Sequence, residues 1–387
     1  MRILNYILIL CVTLLALGCN NDTITPEGDD NIIILPDGTP YIYLDARVGK
    51  KTRGVLNEGN ELQAGFGAYG FTYDFTNRWT TYRATATPNV FRDNSDNFVA
   101  IQEVTYNDGI YSYEPIQQWS GGKYTFFAYY PYNNPNVTAS GMNVNGTPYV
   151  TYAPGNFLTS TSNHIDVMTA MFQDTSLSSS QYVDFDFQHR LSAIEVVALN
   201  FYEYNHEDAG GNVTTEKIAI EITGLNVTFA NLDYKAAKFY LDSSMPSEFT
   251  PLGASDTPSY NIVSSGLKNI EYSTTSEFQR IDPSQTLLVI PQTDEDLEVT
   301  TTVSFKKKRP NGTYLNMAPD TDGTTYVEDN NNGWTYTTSK VSEFGQALKA
   351  GSRYYIQITF TSAAVSINIL TSAEWEDLAE DVYHEFE

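Results

Sequence analysis

Short segments in which apolar and polar residues alternate with period two recur along most of this chain, and helical periodicity is hardly present. Clear examples are residues 183–187, 218–222 and 354–360. Turn-forming runs such as Asn107-Asp108-Gly109 separate the segments. Many short strands separated by turns of this kind are typical of β-sandwiches and barrels. We therefore predict an all-β fold.

The N-terminus indicates export. Arg2 precedes an apolar run over residues 3–17, which is shorter than the roughly 20 residues a membrane-spanning helix needs. The run ends in Leu-Ala-Leu-Gly before Cys19, which resembles the cleavage site of bacterial lipoproteins. We predict a lipoprotein signal peptide over residues 1–18 and a lipidated Cys19 that anchors the protein in a membrane. An ordinary signal followed by an incidental cysteine is the alternative.

Cysteine usage and charge exclude two classes of protein. The only other cysteine, Cys11, lies inside the signal, so the mature chain has no intramolecular disulfide and depends on a packed core. The chain has 22 Lys and Arg against 47 Asp and Glu. Because nucleic-acid binding needs a basic face, we expect no nucleic-acid partner.

The mature chain is long enough for two domains. Residues 19–40 are rich in proline, glycine and acidic residues and read as a tether. The serine-rich stretch 176–180 is the most linker-like segment near the middle. We therefore predict an N-terminal β-sandwich over residues 41–180 and a C-terminal β-sandwich with an acidic tail over residues 181–387.

Five segments occur in the order seen in a known family. They are Gln118-Trp119 with the aromatic run 124–131, then 166–170, then 183–194 with its Phe-x-His-x-Leu pattern, then 287–292, and finally 351–356. Together they resemble the fimbrillin families of Bacteroidetes, which are subunits of type V pili. The resemblance implies two tandem transthyretin-like β-sandwiches and assembly by strand exchange with other fimbrial subunits. It also implies exposure on the outer membrane and, after processing, in a fimbrium.

The first mature strand provides independent support for strand exchange. Its apolar face consists of Ile42, Leu44, Ala46 and Val48, and a basic segment over residues 49–54 follows at once. An Arg-specific protease could cut such a segment between Arg53 and Gly54. The strand would then be removable, and a neighbouring subunit would fill the groove that it leaves and extend a head-to-tail polymer. The alternative is that residues 50–53 form a solvated turn between ordinary strands.

The C-terminus bears on the role of the subunit. Val365, Ile367 and Ile369 form a candidate donor strand. From Trp375 onward the apolar residues are spaced as in a helix, among many carboxylates, which predicts a short amphipathic helix or a frayed tail. Stalk, tip and anchor roles therefore all stay open.

Catalytic and metal-binding motifs are weak, and we predict no enzyme, no catalytic residue, no metal site and no cofactor. None of the four histidines pairs with another at metal-ligand spacing, and His189 reads as a structural residue. Residues 320–323 hint at calcium but favour a solvated turn. The basic run 306–309 is interpreted as decoration of a hairpin tip, with a salt-bridge patch for an acidic neighbour as the alternative.

A second hypothesis is a surface lipoprotein that binds glycans on host or bacterial surfaces. Trp79, Trp119 and Trp334 are candidates for stacking on sugar rings, and the alternative is that most such aromatic side chains pack inside the sandwiches. This hypothesis predicts a row of exposed aromatic side chains on one face. The pilus hypothesis predicts a strand that can be removed from its own sheet.

Overall fold

The structure is a computed structural model of the 387-residue chain. It describes residues 40–48, 62, 64–107, 110–142, 146–154, 164–177, 182–207, 209–230, 232, 236–244, 249–253, 259–263, 268–281, 286–316, 325–329 and 333–374. The helical segments among them are a four-residue helix α1 (Trp79–Tyr82) and a 3-10 turn (Arg83–Thr85). The prediction of an all-β fold is confirmed.

The strands include the three alternating segments named from the sequence, with small shifts at their ends. Up to His189 they are β1 (Tyr43–Val48), β2 (Phe66–Tyr73), β3 (Gln102–Asn107), β4 (Ile110–Ser112), β5 (Lys123–Tyr130), β6 (Val137–Met142), β7 (Pro148–Tyr152), β8 (Met168–Thr175) and β9 (Tyr182–His189).

The strands after His189 are on average longer. They are β10 (Ser192–Phe201), β11 (Glu203–Glu207), β12 (Val213–Lys217), β13 (Ala219–Phe229), β14 (Ala236–Tyr240), β15 (Phe249–Leu252), β16 (Ser259–Val263), β17 (Lys268–Ile270), β18 (Gln279–Arg280), β19 (Leu287–Val289), β20 (Glu298–Lys308), β21 (Thr325–Asp329), β22 (Gly333–Glu343), β23 (Ser352–Thr361) and β24 (Val365–Glu374).

These strands form several sheets. A seven-stranded sheet has the order β1-β9-β8-β5-β2-β3-β4, and a four-stranded sheet has the order β15-β14-β7-β6. A five-stranded sheet runs β18-β10-β23-β24, with β19 also on β10. A six-stranded sheet runs β16-β13-β20-β22-β21, with β17 also on β13, and β11 pairs with β12. Most pairs are antiparallel, but β1 pairs parallel with β9 and β10 pairs parallel with β23.

Three apolar cores lie between these layers, and we name each by one of its phenylalanines. One face of the seven-stranded sheet forms the Phe66 core, and its other face packs in the Phe127 core against the four-stranded sheet. The five- and six-stranded sheets enclose the Phe305 core. Strand β5 is central to the first two cores because its residues alternate between them, with Phe126 in one and Phe127 in the other. This explains why the aromatic run of β5 is apolar on both faces.

The turn before β5 requires glycine. Gly122 has φ +129°, and a Cβ at this position would lie 2.7 Å from the carbonyl oxygen of Tyr73. A side chain here would therefore be both strained and in collision with β2. The turn at Gly121-Gly122 thus fixes where β5 begins beside β2.

Strands from both sides of residue 180 share sheets. Strand β9 pairs with β1 and β8, and β14 pairs with β7. The Phe127 core also contains residues from both sides, including Phe127 and Phe239. The division into 41–180 and 181–387 stays a prediction, as does the pair of transthyretin-like domains. The predicted signal peptide 1–18 and residues 19–39 of the tether lie outside the described residues.

The basic run 306–309 lies beside a hairpin turn, as predicted, but its side chains are tied to the fold. Lys308 Nζ lies 2.6 Å from Glu221 Oε1, and Arg309 binds both carboxylate oxygens of Glu216 at 2.6 and 2.7 Å. Lys306 and Lys307 are buried. The interpretation of this run as simple surface decoration is therefore wrong, because its partners come from strands about 90 residues earlier.

Candidate functional site

Strand β1 lies at one edge of the seven-stranded sheet. It pairs parallel with β9 in a register that places Leu44 opposite Val183 and Val48 opposite Phe187. On its other side, residues 40–42 just before β1 are bonded to residues 113–119, and β4, at the opposite end of the strand order, lies close to β1. We call the space that β1 occupies between β9 and residues 113–119 the β1 groove. An edge strand can leave a sheet without breaking a ladder on both sides along its length.

The inward face of β1 completes the Phe66 core. Ile42 is fully buried, Leu44 is 5% exposed, and Ala46 and Val48 are also buried. All four side chains belong to the cluster that contains Phe66 and Phe185. The period-two pattern read from the sequence is therefore the real inside–outside pattern of this strand.

The beginning of β1 is held on its second side by hydrogen bonds. The N–H of Ile42 donates to the carbonyl of Gln117 at 2.9 Å, and the N–H of Trp119 donates to the carbonyl of Pro40 at 3.0 Å. The buried hydroxyl of Tyr113 donates to the carbonyl of Ile42 at 2.8 Å. Residues 40–42 are thus bonded to the 113–119 segment, and residues 43–48 pair with β9.

The outward face of β1 carries charge. Arg47 lies 3.4 Å from Asp184 and 3.7 Å from Asp186, both on β9. The Arg47 side chain is 60% exposed, and the two aspartates are 40% and 51% exposed. Partial burial raises the pKa of Asp184, the Asp45 and Asp186 carboxylates add to the rise, and Arg47 opposes it.

Sequence reasoning did not single out these outward partners. Asp184 and Asp186 were visible as the polar half of an alternating strand, but nothing in the sequence showed that Arg47 would face them. Tyr113 and Gln117 were also missed, because they contact β1 from a segment without regular periodicity.

The remaining predicted site residues fall in two places. Cys19, Arg53 and Gly54 lie outside the described residues. The candidate donor residues Val365, Ile367 and Ile369 lie on β24, an edge strand that pairs antiparallel with β23. Val365 and Ile367 are buried in the Phe305 core, and Ile369 packs against it. The candidate donor strand thus occupies a place in its own sheet, and its donor role stays a prediction.

The tryptophans proposed for glycan stacking do not form an exposed row. Trp79 is fully buried, with its Nε1–H donating to Asp242 at 2.9 Å, and Trp119 is 4% exposed. Trp334 packs against the Phe305 core. The choice of Trp79 and Trp119 as sugar-stacking residues is therefore wrong, because their rings are buried in the cores, whereas Trp334 is only partly buried.

His189 has the structural environment expected of it. Its Nδ1 lies 2.8 Å from Asp166 Oδ2, and both side chains are buried. Within the described ranges, no group of three or more His, Cys, Asp or Glu side chains is placed to hold a metal ion. Residues 320–323 and the tail from Trp375 onward lie outside those ranges. No helix in the described part of the chain is long and apolar enough to cross a membrane.

Two solved structures match this chain over most of its length. A fimbrial protein from Bacteroides vulgatus matches with a TM-score of 0.50 and 18% identity, over 87% of this chain and 99% of that one. The tip fimbrial protein Mfa3 from Porphyromonas gingivalis, with a C-terminal truncation, matches with a TM-score of 0.35 and 10% identity, over 87% and 99% of the two chains. At such identity the first match supports a shared fold.

The structural matches support a fold but do not identify the family of this chain, which a family model does. Among curated proteins the chain finds no match. The model described as fimbrillin-like covers residues 72–375, from the end of β2 to just beyond β24. That span is most of the chain, although β1 and the first part of β2 lie before it, and the chain therefore belongs to the fimbrillin-like family.

Proposed function

We propose that this chain is a structural or adhesive fimbrial subunit that is exported as a lipoprotein through Cys19 and assembled by protease-triggered strand exchange. An Arg-specific protease cuts between Arg53 and Gly54, β1 leaves, and another fimbrial subunit inserts a strand in its place. The subunit is held at the outer membrane by its lipid before the cut and joins the fimbrium after it. Membership of the fimbrillin-like family supports the fimbrial role.

The observation that carries the proposal is the position of β1. An edge strand with three buried side chains, and a fourth in Ile42 just before it, is held firmly, yet it can depart without disturbing the strand order of the remaining sheet. Burial of Ile42, Leu44 and Val48 stabilises its attachment by about 1.5–3 kcal/mol for each side chain. The same burial is available to an incoming strand with the same alternation, so the vacated groove binds a replacement.

The covalent continuity of the chain explains why exchange waits for cleavage. While β1 remains attached to the rest of the subunit, its effective concentration beside β9 is high and a strand from outside competes poorly. A cut after Arg53 would leave β1 attached only by non-covalent contacts. Exchange is then slow because the departing strand must give up its buried side chains and its ladder with β9.

Limited digestion of the full-length protein with an Arg-specific protease tests the proposal. We expect one early cut after Arg53 and no change in the folded sheets. The fragment that contains β1 should then be released slowly, and mass spectrometry would monitor its release. The cut protein should then bind an added peptide of residues 40–48, and Arg53→Ala should block both cleavage and binding. Lys51→Ala is the matched control, because it leaves the Arg53–Gly54 cleavage site unchanged. Release of the fragment without any uptake of the peptide would contradict the proposal.

A further inference from the structure

The β1 groove has an acidic rim on the side of β9. Asp184 and Asp186 point away from the core, and within the described residues Arg47 is their only ion-pair partner. Arg47 belongs to β1 itself, so it leaves with that strand. The vacated groove would then present two neighbouring carboxylates, on a protein whose net charge is already −25.

The register shows which position of an incoming strand faces this rim. Arg47 lies directly opposite Asp186, and Asp45 lies directly opposite Asp184. Opposite charges at facing positions of neighbouring strands are stabilising, whereas like charges are destabilising. In β1, Arg47 therefore interacts favourably with the rim and Asp45 unfavourably. An incoming strand without the carboxylate at position 45 would bind the groove more tightly.

The C-terminal strand of a second copy does not supply the required charge. Strand β24 has Ser366 and Asn368 between its candidate donor residues and Leu370 after them, and residues 365–387 contain no lysine or arginine. The last 14 residues of the chain include seven carboxylates. Whichever set of alternate residues faces outward, a strand from this region therefore places neutral or negative side chains against Asp184 and Asp186.

We infer that the strand which replaces β1 carries a lysine or arginine at the position of Arg47, and that it comes from a subunit of different sequence and not from the C-terminal region of a second copy. The inference rests on the proposed function and names the chemistry of the partner. The partner segment is extended, runs parallel to β9, and alternates apolar residues toward the Phe66 core with a cation toward the rim. The apolar face supplies most of the binding, and the rim discriminates between donors.

Peptide binding to the protein cut after Arg53, once its own fragment has been released, tests the inference. Fluorescence anisotropy would compare the peptide of residues 40–48 with its Arg47→Gln and Asp45→Asn variants and with a peptide of residues 364–373. Exposed ion pairs are individually weak, so we expect Arg47→Gln to lower the affinity by about 3- to 10-fold and Asp45→Asn to raise it by about 2- to 5-fold. The 364–373 peptide should bind more weakly than the 40–48 peptide.

Two controls assign any difference to the rim. In a protein with both Asp184→Asn and Asp186→Asn, the unchanged and Arg47→Gln peptides should bind equally, which closes a double-mutant cycle. The difference on the unaltered protein should also shrink at about 1 M salt, where the screening length falls to roughly 3 Å.

The possible outcomes separate the inference from the proposed function. If no peptide binds the cut protein, strand exchange at this groove is refuted and the inference falls with it. If the unchanged and Arg47→Gln peptides bind equally, strand exchange stands and the rim has no role in selecting the donor. If the 364–373 peptide binds as tightly as the 40–48 peptide, donation by a second copy is supported and the inference is overturned.

Discussion

Truncation of Leu44 to alanine is expected to speed the release of β1 from the cut protein. Leu44 is 5% exposed and packs in the Phe66 core. Leucine-to-alanine changes in well-packed cores cost about 2–5 kcal/mol, and we expect the lower half of that range because an edge site can partly relax. A loss of about 2–3.5 kcal/mol corresponds to a fall of about 30- to 300-fold in the affinity of β1 for its groove.

The assay for Leu44→Ala is the time course of fragment release after cleavage, followed by size-exclusion chromatography and mass spectrometry. Asp45→Ala is the matched control, since it removes an exposed side chain from the adjacent position and leaves the core intact. In the uncut protein Leu44→Ala should also lower the urea midpoint, whereas Asp45→Ala should not. Equal release of the two variants would refute the view that the inward face holds β1.

Two further predictions concern export and acid stability. Cys19→Ala should abolish the incorporation of labelled fatty acid in a Gram-negative host, and labelling of this variant would contradict lipidation at Cys19. Burial works against ionisation of Glu221, but hydrogen bonds from Lys308 and Tyr314 outweigh it and hold its pKa below the usual 4.5. Its contribution to stability is therefore complete above about pH 4.5 and is lost as the pH falls through the lowered folded-state pKa. Urea midpoints measured from pH 7 to pH 2 should decline at the acid end, and Glu221→Gln should be less stable at pH 7 with a shallower acid decline.

The residues that face the cores could be predicted well from sequence. The alternating residues of β9, Val183, Phe185 and Phe187, are all fully buried, and so are Ile356, Ile358 and Phe360 of β23. The inward face of β1 was also predicted correctly. These successes have one cause: the side-chain period of a strand is fixed by its backbone, so a half-buried strand shows its inner face in its sequence.

Strand partners could not be predicted in the same way. Strands β1 and β9 pair in parallel although almost the whole N-terminal half of the described chain separates them, and β10 pairs with β23 at a similar distance. Alternation shows which side chains point inward, but it does not identify the neighbouring strand. For this reason the ion pair of Arg47 with Asp184 and Asp186 was missed, and the carboxylate partners of Lys308 and Arg309 were missed as well.

The direct succession of β9 and β10 has a mechanical consequence for a subunit in a fibre. Two residues, Arg190 and Leu191, separate these strands, and Leu191 is fully buried in the Phe127 core. A force along a strand that replaces β1 would act parallel to that strand and to β9, because the two lie side by side. It would therefore load all the hydrogen bonds between them at once, in shear. The tension then passes through the buried junction into β10, which shares a second parallel ladder with β23. If strand exchange occurs at the β1 groove, one continuous stretch of backbone would thus connect the loaded strand to the five-stranded sheet.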